Sequence, residues 1–233
     1  MLISKSFLKI LSIVLLSFGQ VVAIEGEVRS QANTQKTVTQ DQIIDRWIEE
    51  LKTEELPGEA LEAIGKIGKP ALPKLLPLLK NPNAEVRANA AGAFGMIGKS
   101  AQSSIPDLIP LLRDRDEAVR SSAVWSLGKI GESSKSSIPL LIPMLKDPDW
   151  IVRVSVVGAL GDIGPSAQST IPDLIPLLKG EDAAMRSEAA KALGKMGDSA
   201  KIAIPHIIPL LQARELWVQS SAVEALTKLG YQP

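Results

Sequence analysis

The feature that most constrains this chain is a spacing. Pro73, Pro106, Pro139, Pro172 and Pro205 stand 33 residues apart, and Pro77, Pro110, Pro143, Pro176 and Pro209 repeat the same step. A fixed period of this size marks a solenoid, in which each unit is one supersecondary element that buries its apolar side against its neighbours. Ile105 to Gly131 shows the unit in full, IPDLIPLLRDRDEAVRSSAVWSLGKIG. It reads as two short helices joined by a charged turn.

Each part of the unit has a physical reason. The first Pro falls in the first turn of the first helix, where a missing N–H does little harm. Ser104, Ser137 and Thr170 are placed to cap that helix. The second Pro lies inside it, removes one backbone hydrogen bond and predicts a kink. Asn83, Asp116, Asp149, Asp182 and Glu215 form a column at the start of the second helix, where an acceptor is favoured. The second helix closes on Gly-x-x-Gly, as at Gly128 and Gly131. The later glycine is the expected stop. The earlier one sits inside the helix, at a cost of roughly 1 kcal/mol against Ala. Close approach of neighbouring helices explains it, since Ala123, Ala159, Ala192 and Ala225 thin the same helices.

The spacing gives five regular units, 70–98, 104–131, 137–164, 170–197 and 203–230, after a degenerate first unit at 41–68. That first unit carries Ile43, Ile44, Trp47, Ile48 and Leu51 on one apolar stripe, with Pro57 placed to open its second helix. It lacks the first-helix prolines, as an end unit would. Residues 231–233 are a tail. Upstream, Met1 to Ala23 has Lys5 and Lys9, an apolar run from Ile10 to Phe18, and Val21-Val22-Ala23. This is the layout of a signal peptide (residues 1–23) cleaved after Ala23. The apolar run is shorter than the roughly 20 residues of a membrane span. Residues 24–40 are polar and aperiodic, and read as a flexible linker. The expectation is an exported protein, periplasmic or extracellular, or anchored to the membrane by that segment if it stays uncleaved.

Composition narrows the chemistry. Lys plus Arg equals Asp plus Glu at 26 each, so no electrostatic footprint for nucleic acid or an anionic membrane exists. The absence of cysteine removes disulfides, zinc-thiolate sites and thiol catalysis. With no Asn-x-Ser/Thr acceptor either, it points to a bacterial envelope compartment. A single histidine, His206, leaves no imidazole-rich metal site within one chain. It falls in the column Lys74, Asp107, Leu140, Asp173, His206, which tolerates almost anything, and reads as a surface residue. No cofactor and no metal are expected, and the chain is expected to be monomeric.

At this point AVRSSAVWSLGKIG and MRSEAAKALGKMG are similar to the short HEAT-like repeats typified by phycobilisome lyase proteins. The resemblance covers about residues 41–230. It implies an all-α, armadillo-type fold: a right-handed α-solenoid of about six two-helix HEAT-like repeats with a 33-residue period. First helices would lie on the convex face and second helices on the concave face. The resemblance also implies a role for Arg87, Arg120, Arg153 and Arg186, which stand at 33-residue steps with Asp114 and Asp147 in the turns. The corresponding Asp and Arg of such repeats tie adjacent units together, so this ladder reads as structural.

A sharper candidate comes from the helical wheel. Val119, Ala123, Ser126, Leu127 and Ile130 fall on the core side of the second helix, whereas Ser121, Trp125 and Gly128 point the other way. The column containing Trp125 runs Glu62, Gly92, Trp125, Gly158, Lys191, Glu224. Trp is a common binding anchor, and flanking glycines would leave a slot beside its ring. The alternative is that Trp125 folds over those glycines and plugs the gap. Trp125, Ser121, Ser155, Glu188 and Lys191 are the candidate partner-binding residues. Trp47, Trp150 and Trp217 read as packing residues.

Three functions are in play. The first is a non-catalytic scaffold holding a protein or peptide in its concave groove. The second, implied by the resemblance, is a bilin lyase or isomerase. The third, from a resemblance to deoxyhypusine hydroxylase, is an oxidoreductase with a di-iron centre on His-Glu pairs. The matching positions read Ala88-Asn89, Ser121-Ser122, Val154-Ser155 and Ser187-Glu188, so the ligands of that centre are lost.

Overall fold

In the computed structural model, residues 38–53 and 58–231 are described. The signal segment, most of the linker, Pro57 and residues 232–233 lie outside them. The first helix, Gln40–Thr53, begins on the last residue of the expected linker. Thr39 opens it: its hydroxyl accepts the Gln42 N–H at 3.3 Å, and the Gln42 side chain accepts the Thr39 N–H at 3.0 Å. Of its expected stripe, Ile44, Trp47, Ile48 and Leu51 are buried and Ile43 is half-buried at the edge.

Every described element is helical, and the elements alternate. First helices run Leu72–Leu75, Ile105–Leu108, Ile138–Met144, Ile171–Leu174 and Ile204–Ile207. Second helices run Gly58–Ile67, Ala84–Ile97, Glu117–Ile130, Trp150–Ile163, Ala183–Lys195 and Leu216–Lys228. The second helices pack chiefly against one another, in chain order. Each unit contributes fully buried leucines to the shared core, such as Leu108, Leu127, Leu141, Leu160, Leu174 and Leu193. Each such side chain stabilises the stack by roughly 1.5–3 kcal/mol.

The second Pro acts where it was expected to. The α-helix gives way to a 3-10 segment at the residue before it, as at Ile109–Arg113, which starts one residue before Pro110. A proline has no N–H for the i−4 carbonyl, and the tighter i→i+3 pattern absorbs the loss. The fourth unit differs, because Ile138–Met144 stays α-helical with Pro143 inside.

The expected hydroxyl caps do not form. Ser137 donates its hydroxyl back to the Ser134 carbonyl at 2.6 Å, and Thr170 donates to Ala167 at 2.8 Å. The chain enters the first helix through a 3-10 segment, so Ser137 is already helical at φ −84°, ψ −14°. An N-cap needs an extended residue facing free N–H groups, and Pro139 has none. The acidic column does cap the second helix. Asp116 accepts Ala118 and Val119 N–H at 3.0 and 3.3 Å, with Asp149, Asp182 and Asn83 in the same role. Glu215 makes no cap bond.

The interior glycines sit where helices touch. A Cβ on Gly128 would lie 2.7 Å from Ala159 Cα, one on Gly161 2.6 Å from Ala192 Cα, and one on Gly194 2.8 Å from Ala225 Cα. Gly128 is therefore buried against the next unit, and does not share the solvent-facing side with Trp125. In the last unit Thr227 occupies this column. The helix stops are left-handed, as at Gly131 with φ 78°. They recur every 33 residues from Gly98 onward, but Gly68 precedes Gly98 by only 30.

Candidate functional site

The Arg ladder joins units. The Arg87 fork grips Asp114 of the next unit, Nε to Oδ2 and Nη2 to Oδ1, both at 2.8 Å. Arg120 grips Asp147 in the same way at 2.9 Å. The remaining nitrogen of each Arg turns back to its own turn, Arg87 Nη1 to the Asn81 and Pro82 carbonyls and Arg120 Nη1 to Asp114 and Arg115. Bidentate pairing of this kind is stronger than an ordinary ion pair. The Asp114 carboxylate also accepts the Asp116 N–H at 3.0 Å, so the pair of aspartates is a rung acceptor followed by a helix cap. The Arg87 hydrogen bond holds the Asp114 carboxyl below the usual carboxylate range. Burial pushes Asp147 up, but the Arg120 fork and the Asp149 N–H outweigh it and leave it lowered. The ladder changes further on. Arg186 reaches Glu215 through Nη2 at 2.9 Å, and Gln219 keeps only the backbone half of the arrangement, to the Ala213 carbonyl at 2.7 Å.

The exposed stripe of the second helices follows the wheel for most positions. Trp125 is 36% exposed on it. Its ring does not lie in a slot between Gly92 and Gly158. It covers Gly95, where a methyl group would collide with ring atoms Cζ3 and Cε3. The Lys129 ammonium stands 5.7 Å from the ring centroid, within cation–π range. Gly158 is covered from the other direction, since a Cβ there would lie 3.0 Å from Glu188 Oε1. Glu188 also pairs with Lys191 at 3.6 Å. Ser121 donates to its own helix, to the Ala118 carbonyl at 3.1 Å. Ser155 is half-buried on the intervening helix. The five candidates thus do not form one site: Trp125 sits with Gly95 and Lys129, Glu188 and Lys191 sit with Gly158, and Ser121 and Ser155 join neither group.

Two features were missed in the sequence. Asp162 lies between Lys129 at 3.0 Å and Lys195 at 2.6 Å, a bridge across three units. Burial pushes its carboxyl up, and the two ammonium groups overcome that and hold it below the usual range. The signal was the alternating column Lys129, Asp162, Lys195. The second is a misjudged pair. Trp150 and Trp217 do not pack inside; they are 44% and 49% exposed. Both sit in the first turn of a second helix, ahead of the residues that meet the core. Trp47 is buried as expected, and His206 is half-buried, not fully on the surface. Among the described residues no group of three or more His, Asp or Glu side chains is placed to hold a metal ion, and no helix is long and apolar enough to cross a membrane.

The model of the family HEAT repeats matches residues 44–104, 72–143 and 138–227. No curated protein matches the chain. Similar solved structures include an engineered protein, 22% identical with TM-score 0.58 over 81% of this chain and 96% of its own. Another is the CpcE–CpcF complex of phycocyanin lyase from Nostoc sp. PCC7120, 20% identical with TM-score 0.56 over 64% of this chain and 96% of that one. A Kap121p mutant aligns at 16% identity and TM-score 0.62, over 80% of this chain and 23% of its own length. At these identities the likeness is one of fold.

Proposed function

Because the chain belongs to the family of HEAT repeats, we propose that it is a non-catalytic scaffold whose second-helix face holds a protein or peptide partner. One observation carries the reading. The stacked second helices present Trp125, Met96 and Ile151 half-exposed on a layer whose charges are largely paired with one another. Aromatic and sulfur-bearing side chains on a rigid, charge-neutral surface are what a binding face offers. Trp125 is held by Gly95 on one side, so it enters binding already ordered and loses little freedom. The likeness to phycocyanin lyase supports the scaffold and brings no bilin chemistry with it.

The proposed setting is the cell envelope, with the N-terminal segment as its export signal. Capture of partners from an envelope extract by the full chain, with Trp125→Ala in parallel, tests the reading. Loss of at least tenfold in affinity is expected. A Trp125→Ala protein that is folded and binds within twofold of the original removes Trp125 from the face. N-terminal sequencing of the exported protein tests the export half, with Ile24 as the expected first residue.

A further inference from the structure

The ladder has one broken rung, and it is not at an end. Arg153 keeps the backbone half of the pattern, with Nη1 donating to the Asp147 and Pro148 carbonyls at 2.7 and 2.9 Å. Its forward half differs from the others. The residue in the rung column of the next unit is Gly180, where the earlier rungs have Asp114 and Asp147. Among the described residues no carboxylate comes within ion-pair distance of Arg153, although the guanidinium is only partly buried.

The fold does not require a glycine there. Gly180 has φ −66° and ψ 161°, extended backbone that any residue adopts, and Asp114 has nearly the same angles at −62° and 146°. A Cβ on Gly180 would meet nothing closer than the Leu177 carbonyl at 3.5 Å. A carboxylate is therefore missing from a place that would accept one. Nor does the nearby N-cap acid replace it. In the intact rungs Arg87 feels both Asp114 and the cap Asp116, and Arg120 feels both Asp147 and the cap Asp149. At the broken rung Arg153 has the cap Asp182 ahead of it and Asp147 of its own turn behind it, and neither carboxylate is in ion-pair contact with the guanidinium. Asp182 is also engaged elsewhere, by the Ala184 and Met185 N–H groups and the Trp150 indole.

The surroundings add apolar area. Trp150 lies one turn before Arg153 on the same helix, half-exposed, with Ile151 beside it at 56% exposure. Trp150, at i−3, leaves the helix on the same side as Arg153, whereas Ile151 at i−2 does not; an exposed large apolar side chain beside a charge marks an interaction site.

We propose that the Arg153 fork is a docking point for an aspartate or glutamate side chain of a peptide partner, whose neighbouring apolar residue rests on Trp150. The incoming carboxylate completes the rung between the fourth and fifth units. Recognition is bidentate, through Nε and Nη2, as in the two intact rungs. The site goes beyond the Trp125 face and does not depend on it.

The test uses the full chain and a minimal probe, N-acetyl-aspartate N-methylamide, with the asparagine counterpart as the neutral control. NMR follows the Arg153 Nε–H and the Trp150 indole N–H. Saturable shifts with the aspartate probe and none with the asparagine probe are expected. Two variants read the geometry. Arg153→Gln copies the last rung, where Gln219 keeps the backbone bond, so the turn stays formed. Gly180→Asp supplies the missing carboxylate from within. Each is expected to weaken probe binding at least tenfold, and Gly180→Asp to raise the melting temperature. N-acetyl-leucine asks about a chain-end carboxylate, and binding there would support carboxylate recognition with a second source. An equal response to the asparagine probe, undiminished binding in Gly180→Asp, or no response to either carboxylate overturns the proposal.

Discussion

Ser134 is a buried polar residue in the wrong column. Its hydroxyl is fully buried without a hydrogen-bond partner, and the matching residues of other units are Ala101, Ala167 and Ala200, all buried. Ser134→Ala is expected to stabilise the protein by about 1 kcal/mol, since an unsatisfied buried hydroxyl costs about that much or more; urea unfolding measures it. Acid sensitivity belongs to this scale too. Asp114, Asp147 and Asp162 all have lowered carboxyl pKa values. Their stabilisation is complete above the ordinary carboxylate range and is lost as pH falls through the lowered folded values. Asp114→Asn is expected to lower stability at neutral pH and to flatten the acid limb of the curve, measured by urea unfolding at a series of pH values. The rungs could be anticipated from resemblance, because both partners recur. Which carboxylate each Arg takes could not be read so directly, because the one six residues back in sequence is met through its carbonyl and the grip goes forward to the next unit.

A helix is the scale at which glycine changes its meaning. In an isolated helix Gly→Ala gains about 1 kcal/mol. Gly161→Ala is expected instead to destabilise by about 1–3 kcal/mol, because the added carbon would overlap Ala192 and push two helices apart. Gly92→Ala meets only Leu61 Cδ2 at 3.9 Å and is expected to be neutral or stabilising. The denaturant midpoint should fall for Gly161→Ala and hold or rise for Gly92→Ala. The sequence made the helices, their proline breaks and their acidic caps legible, since each depends on a residue's own backbone chemistry. It misled on Ser137 and Thr170, because whether a hydroxyl caps depends on the conformation of the segment before it. It misled on Trp125 for a related reason. A column predicts which helix face a ring leaves from, but the ring is long enough to lie over Gly95, one turn away from the glycine in its own column.

The whole molecule is a set of similar interfaces in series, so its stability is distributed. Leu127→Ala is expected to cost about 2–5 kcal/mol, with its effect concentrated in the third unit and its neighbours. Hydrogen exchange should show those helices opening before the rest, whereas uniform acceleration from end to end would mean one indivisible unit. The period made this architecture readable, because every unit repeats the solution of the one before. What the period cannot say is where repetition stops. At the final second helix, Thr227 replaces the contact glycine and Gln219 replaces the rung arginine. A helix approaching as closely as at Gly194 would meet a β-branched side chain at Thr227 and no guanidinium at Gln219. Val223, whose counterparts Val124 and Val157 are buried, is left 54% exposed. The outer face of Leu216–Lys228 thus lacks both devices that lock the earlier units together, the close glycine seat and the guanidinium fork, and leaves Val223 open to solvent.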